Sequence, residues 1–259
     1  MKKIIIFNWK SNPANAASAL KLARLTEKII PKKDAPEIVI MPPFVYLNEL
    51  KNLKTEKLKN LKFGAQNVFW ENPPAGGGSY TGEISAKMLK NLGVEYAIVG
   101  HSERRRYLGE TDEMINKKVL AALKAGLKAV LCVGEDLSVR RRGKKAVENY
   151  IKKQLEKDLK GIHNSLFIIP NSLIVAYEPV WAIGAKHSDT PQDAVEIIKF
   201  IKQFLITNYK LPITKVLYGG SVDSKNIAKF LEHPEIDGAL VGHASLKAGE
   251  ARKIIKEPS

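Results

Sequence analysis

One cysteine, Cys132, stands in a chain of 259 residues. A single thiol excludes an internal disulfide framework and any thiolate cluster around a metal. A reducing cytoplasm is the expected compartment; no metal or cofactor is expected either. No apolar run approaches the ~20 residues of a membrane span. Met1-Lys2-Lys3 opens like a leader, but the apolar run behind it, Ile4-Ile5-Ile6-Phe7, ends at Asn8-Trp9-Lys10. A secretory core needs ~7–15 apolar residues, so this segment reads as a strand. Aromatics are scarce, at 7%, and do not interleave with the basic runs Arg104-Arg105-Arg106 and Arg140-Arg141-Arg142-Gly143-Lys144-Lys145. That argues against a stacking surface for single strands, so neither nucleic acid nor membrane is an expected partner. Acidic residues are in deficit, 27 against 42 basic ones, for a net charge of +15. Such a field draws anions, phosphorylated metabolites among them. No linker rich in Gly, Ser or Pro divides the chain.

What is present is an alternation. Short apolar, β-branched runs occur at Lys3–Trp9, Glu37–Met41, Lys62–Gln66, Val94–Val99, Lys128–Val133, Ser172–Glu178, Lys215–Tyr218 and Asp237–Val241. They are mostly continuous runs, as in parallel strands buried on both faces. Helix-like segments lie between them: Ala14–Ile30, Phe44–Leu53, Ser85–Leu92, Asp112–Ala125, Arg141–Leu159, Pro191–Tyr209, Ser224–Leu231 and Leu246–Ile255. Thr190-Pro191 is a capping residue followed by proline at the first helical position. Gly93 and Gly126 stand where a left-handed helix end is expected. Eight strands, each followed by a helix, predict a single-domain α/β fold over residues 1–259, a (β/α)8 barrel. The alternative, an open doubly wound sheet, usually opens with Gly-x-Gly-x-x-Gly after its first strand; here Asn8-Trp9-Lys10-Ser11-Asn12-Pro13 stands there.

A barrel places its chemistry at the C-terminal ends of its strands. Strand one ends in Asn8 and Lys10, two apart and expected on one side. Strand four ends in Gly100-His101-Ser102-Glu103-Arg104-Arg105, and strand six in Tyr177-Glu178-Pro179-Val180-Trp181. Strands seven and eight end in Gly219-Gly220-Ser221 and Gly242-His243-Ala244-Ser245. An amide, an amine, an imidazole, a carboxylate and two Gly/Ser loops for an anion would thus converge on one rim. Each element alone has a plain alternative: a core histidine, a solvated glutamate, a turn, a snorkelling lysine. Their common placement favours the joint reading.

Several stretches, in order, resemble the triosephosphate isomerase family. They are Asn8-Trp9-Lys10, Gly64-Ala65-Gln66-Asn67, Tyr80-Thr81-Gly82-Glu83-Ile84-Ser85, Val99 to Arg105, Cys132-Val133-Gly134-Glu135, Ala176 to Gly184, Tyr218 to Val222 and Ala239 to Gly242. The stretches Gly100–Arg105 and Tyr177–Gly184 are the most specific. The resemblance implies a TIM barrel that interconverts dihydroxyacetone phosphate and glyceraldehyde 3-phosphate, a triose phosphate substrate of glycolysis and gluconeogenesis. It assigns Glu178 as the general base, His101 as the electrophile, Lys10 as the ammonium beside the developing enediolate and the phosphate, and Asn8 as an amide donor. Glu103 matches the carboxylate that pairs with Lys10, within a motif that also holds Ser102. Gly184, Ser221, Gly242 and His243 match the backbone donors to phosphate. The resemblance further implies a homodimer through the loop 67–83, with Thr81 close to the neighbour's site.

Three departures accompany the match. The lid tip reads Ala185-Lys186-His187, without the glycine the family carries where Lys186 stands. His243 replaces a second glycine in the phosphate loop; its imidazole, and that of His187, would add a titratable positive charge there. The 70–79 loop is a few residues longer than usual. Two rival readings are a phosphate-binding barrel for a larger substrate, and a basic anion- or nucleic-acid-binding protein without catalysis.

Overall fold

The computed structural model describes residues 2–53, 60–72, 79–162, 172–184, 189–211 and 214–256. Strands β1 (Ile4–Asn8), β2 (Glu37–Met41), β3 (Leu61–Ala65), β4 (Tyr96–Val99), β5 (Lys128–Val133), β6 (Leu173–Tyr177), β7 (Lys215–Tyr218) and β8 (Gly238–Val241) pair in sequence order and close as a barrel. All pairs are parallel, and β1 closes on β8 with Ile5 opposite Ala239 and Phe7 opposite Val241.

Alternation along the strands explains why the runs are apolar throughout. Ile4, Ile6, Val39, Ile98, Val130 and Leu217 point inward and fill the barrel. Their neighbours Ile5, Phe7, Ile38, Val99, Leu131 and Val216 point outward into the layer beneath the helices. Burying each such side chain contributes roughly 1.5–3 kcal/mol, and a strand here needs it on both faces.

Helices α1 (Ala16–Ile29), α2 (Leu47–Leu53), α3 (Ala86–Asn91), α4 (Ser102–Leu108), α5 (Asp112–Lys124), α6 (Leu137–Arg140), α7 (Lys144–Asp158), α8 (Pro191–Tyr209), α9 (Ile227–Leu231) and α10 (Ala248–Lys256) surround the barrel. Helix α8 starts as its sequence predicts: the Thr190 hydroxyl accepts from Asp193 N at 3.1 Å, and Pro191 opens the first turn. Its apolar stripe, from Ala194 to Leu205, is buried. Gly93 and Gly126 both take the left-handed conformation, at φ +76° and +73°.

Some boundaries differ from the sequence expectation, each for a local reason. The expected helix Arg141–Leu159 is two helices, α6 and α7, because Gly143 has φ +90°, which a right-handed helix cannot hold. The expected helix Ser224–Leu231 begins only at Ile227. The Asn226 side chain accepts from Asp223 N and the Asp223 side chain accepts from Lys225 N, and these local bonds compete with the helical ladder. The first turn of Phe44–Leu53 is a 3-10 turn, Phe44–Tyr46. Helix α4 was not expected at all. Among the described residues, no helix is long and apolar enough to cross a membrane.

Candidate active site

At the C-terminal mouth of the barrel lies a cavity of about 490 Å³. Asn8, Lys10, His101, Glu178, Gly184, Ser221, Gly242 and His243 all line it. Residues far apart in the chain are thus brought together because they stand at the ends of five strands, β1, β4, β6, β7 and β8, of one closed sheet.

Lys10 arrives by an unexpected route. Strand alternation does not carry it, since β1 ends at Asn8 and Lys10 has φ +52°. For a non-glycine residue that conformation costs of order 1–3 kcal/mol and persists only where the surroundings fix it. Lys10 N donates to Asn8 Oδ1 at 3.0 Å, and Gln66 Nε2 donates to Lys10 O at 2.8 Å while also reaching Met41 O. The Lys10 ammonium pairs with Glu103 on α4.

His101 and Glu178 face each other. His101 precedes α4 as its capping residue, and its Nδ1 accepts from Glu103 N at 3.2 Å. A nitrogen that accepts carries no proton, which assigns the ring proton to Nε2. Nε2 lies 3.4 Å from Glu178 Oε1, and Glu178 Oε2 accepts from Ser102 N at 3.0 Å. Both side chains are buried: His101 is 7% exposed and Glu178 2%.

The wall behind Glu178 is backbone. A Cβ on Gly134 would stand 1.6 Å from the Glu178 carbonyl oxygen, so no side chain fits there. A Cβ on Gly219 would stand 2.8 Å from Glu178 Cγ. The Cys132 thiol is pushed well above its ordinary pKa by burial and by the Glu178 charge, so it remains protonated.

Across the cavity, Gly184 N donates to Ser221 Oγ at 2.8 Å, and that hydroxyl donates to Ala182 O at 2.7 Å. His243 opens the 3-10 turn His243–Leu246 and is exposed at the cavity's edge. Thr81 is exposed in a turn and does not line the cavity. The lid tip 185–188 and loop residues 73–78 lie outside the described residues.

A polar cluster outside the cavity supports the turn after Glu178. Glu135 Oε1 accepts from Trp181 Nε1 at 2.9 Å and from Tyr177 Oη at 3.1 Å. Burial raises the Glu135 pKa, although the bonds from Trp181 and Tyr177 oppose the shift. Arg140 completes the cluster, its guanidinium 5.3 Å from the Trp181 ring centroid. Sequence reasoning gave no role to Gln66, Gly134, Glu135 or Arg140. The motifs Gly64–Asn67 and Cys132–Glu135 carried the signal for three of them; Arg140 sat inside a basic run weighed as a surface for nucleic acid.

Comparison with known proteins agrees with this geometry. The sequence family described as "Triosephosphate isomerase" matches residues 3–258. A relative of that name from Caldanaerobacter subterraneus subsp. tengcongensis is 45% identical over 259 residues, covering 98% of each chain. One from Thermoanaerobacter pseudethanolicus is 43% identical over 259 residues, with the same coverage. A third, from Dictyoglomus thermophilum, is 42% identical over 258 residues, covering 98% of this chain and 99% of its own. With the family matched over residues 3–258 and five strand ends, those of β1, β4, β6, β7 and β8, delivering the family's residue types to one cavity, the chain belongs to the triosephosphate isomerase family.

Proposed function

We infer that this chain, acting as one catalytic domain, interconverts dihydroxyacetone phosphate and D-glyceraldehyde 3-phosphate by proton transfer through an enediolate, a step of glycolysis and gluconeogenesis. The observation that carries the reading is the His101–Glu178 pair. A carboxylate and an imidazole with its proton on Nε2 stand 3.4 Å apart in a buried wall of one cavity.

The chemistry follows from those positions. A carbon acid beside a carbonyl is very weak in water, and its ionisation needs preorganised donors in a dry site. In this reading Glu178, released from Ser102 N, turns toward the substrate and takes the proton from C1. The electron pair of that bond forms the C1–C2 double bond, and charge moves to the C2 oxygen. His101 Nε2–H and the Lys10 ammonium stabilise that oxygen, with Asn8 beside them. His101 Nε2 gives its proton to the C2 oxygen and takes the hydroxyl proton from the C1 oxygen, and the carboxyl then returns its proton to C2 as the C1 oxygen re-forms a carbonyl, so protons and electron pairs balance within the site. The family is itself a recognised example of a neutral imidazole electrophile working in a water-excluding site. Backbone N–H groups of Gly184, Ser221, Gly242 and His243 receive the phosphate, supplying binding energy away from the reacting carbons.

A homodimer and a cytoplasmic location complete the proposal. Val45, Tyr80, Met88, Tyr107 and Leu108 expose 74%, 48%, 51%, 69% and 62% of their surface. They follow β2, β3 and β4, three adjacent strands, so they share one side of the barrel and suit burial against a second copy. A single buried cysteine suits a reducing compartment.

Isomerisation in deuterium oxide tests the chemistry. Proton transfer by an exchangeable carboxyl places solvent deuterium at C2 of the product. Product carrying only the original hydrogen would mean a direct hydride shift and would overturn the assignment.

A further inference from the structure

Asp189 is a carboxylate with no place in the reaction, yet it is only 2% exposed. It stands just before the Thr190 cap of α8. Its Oδ1 accepts from Thr190 N at 3.0 Å and lies 3.3 Å from Arg140 Nη2. Its Oδ2 is buried without a partner among the described residues. The same Arg140 nitrogen lies 3.0 Å from Asp193 Oδ2, and the guanidinium packs over the Trp181 ring. Trp181 belongs to the 3-10 turn Val180–Ala182, which joins Glu178 to Gly184. Val180 N also donates to Glu135 O at 3.0 Å. One arginine therefore ties the turn that follows the base to the start of the next helix.

We propose that Asp189 and Arg140 form a positioning pair that steadies the Trp181 turn, and with it Glu178 and Gly184, and that protonation of Asp189 releases the hold. The proposal rests on the site reading above. The ionisable groups facing Asp189 are Arg140 at the end of α6, Asp193 on α8, Glu135 after β5, Tyr177 on β6 and Tyr218 on β7. Arg140 is the cation among them, opposed by two carboxylates and by burial. Burial is the largest influence and raises the Asp189 pKa to about 7. As the ion, Asp189 holds Arg140 in a low-dielectric site. As the acid it loses that attraction, and Arg140 keeps Asp193, a half-exposed partner whose pairing is screened by water.

The test compares the native chain with Asp189→Asn, which stays neutral at every pH. The ratio of their kcat/KM values between about pH 5.5 and pH 8.5 cancels the substrate phosphate's own ionisation, near pH ~6. A severalfold advantage of the native chain at the alkaline end, vanishing at the acid end, is expected. A ratio that does not change with pH, or that grows as pH falls, overturns the proposal. Tryptophan emission gives a second readout that needs no turnover. The native chain should show a transition centred near neutrality that Asp189→Asn lacks. Arg140→Gln should lack the transition as well, because the guanidinium that links the carboxylate to the ring is gone; this variant decides the matter if Asp189→Asn does not fold. An emission titration identical in all folded variants overturns the pair. A native chain without isomerase turnover refutes the site reading instead, and the emission titration still decides the pair.

Discussion

Gly219→Ala probes how closely the barrel wall holds the proposed base. Gly219 follows β7, and its N–H donates to Tyr177 O at 2.7 Å. Its φ is not in the left-handed region, so alanine meets no backbone strain and only contact is at stake. The added methyl would stand 2.8 Å from Glu178 Cγ and 3.2 Å from Tyr177 O. Carbon atoms rest about 3.5–4.0 Å apart, so the glutamate stem must give way by roughly 1 Å. Misplacement of that order costs about 10²-fold in a well-aligned reaction. We predict a fall in kcat of roughly 10- to 100-fold in a coupled isomerase assay, with KM changed by no more than about threefold, since the phosphate donors stay in place. Overpacking destabilises by about 1–3 kcal/mol, lowering the melting temperature by roughly 2–4 °C per kcal/mol in a chain of this size. Gly249→Ala is the control: nothing lies within 4 Å of that methyl, it sits in α10, and stability should rise by up to ~1 kcal/mol with kcat unchanged. A Gly219→Ala enzyme with native kcat would refute the claim that this wall positions Glu178.

Other expectations concern charge and assembly. His243→Gly should raise KM by a factor of a few, because the imidazole at the cavity's edge no longer faces the phosphate, and an unchanged KM would discard a role for that side chain. The net charge of +15 should aid capture of the phosphate dianion. Raising ionic strength from about 0.01 to 0.15 M shortens screening from ~30 to ~8 Å and should lower kcat/KM while leaving kcat in place; an unchanged kcat/KM would remove steering from the account. Sedimentation at micromolar concentration should show a dimer, and Tyr107→Glu should shift it toward monomer. A native monomer at that concentration would leave the exposed apolar side chains without their proposed cover.

Much of this was legible in the sequence, because burial on both faces writes strands as continuous apolar runs. β2, β5 and β7 occupy the expected residues, and the other strands differ by one or two at an end. Helix α4 escaped notice because Ser-Glu-Arg-Arg-Arg-Tyr-Leu carries no apolar stripe; His101 caps it, and Arg105 anchors it through Asp112 and Asp158 on other helices. The gathering of Asn8, Lys10, His101, Glu178 and the Gly/Ser loops was legible because strand ends in a closed parallel barrel share a rim. What was not legible depends on close approach between distant segments. Gly134 must admit the Glu178 carbonyl, Gln66 must hold Lys10 in a left-handed conformation, and Arg140 must reach Asp189. No spacing or propensity marks such contacts.

Glu178→Asp is the sharpest test of the central claim. The substitution keeps the carboxylate and the fold but withdraws the acid by one carbon–carbon bond, about 1.5 Å. Proton transfer requires hydrogen-bond reach of about 2.6–3.2 Å. The account predicts a fall in kcat of about 10²-fold or more, ~2.7 kcal/mol or more of barrier, with melting temperature and KM little changed. An unaltered kcat would remove Glu178 from the role of base.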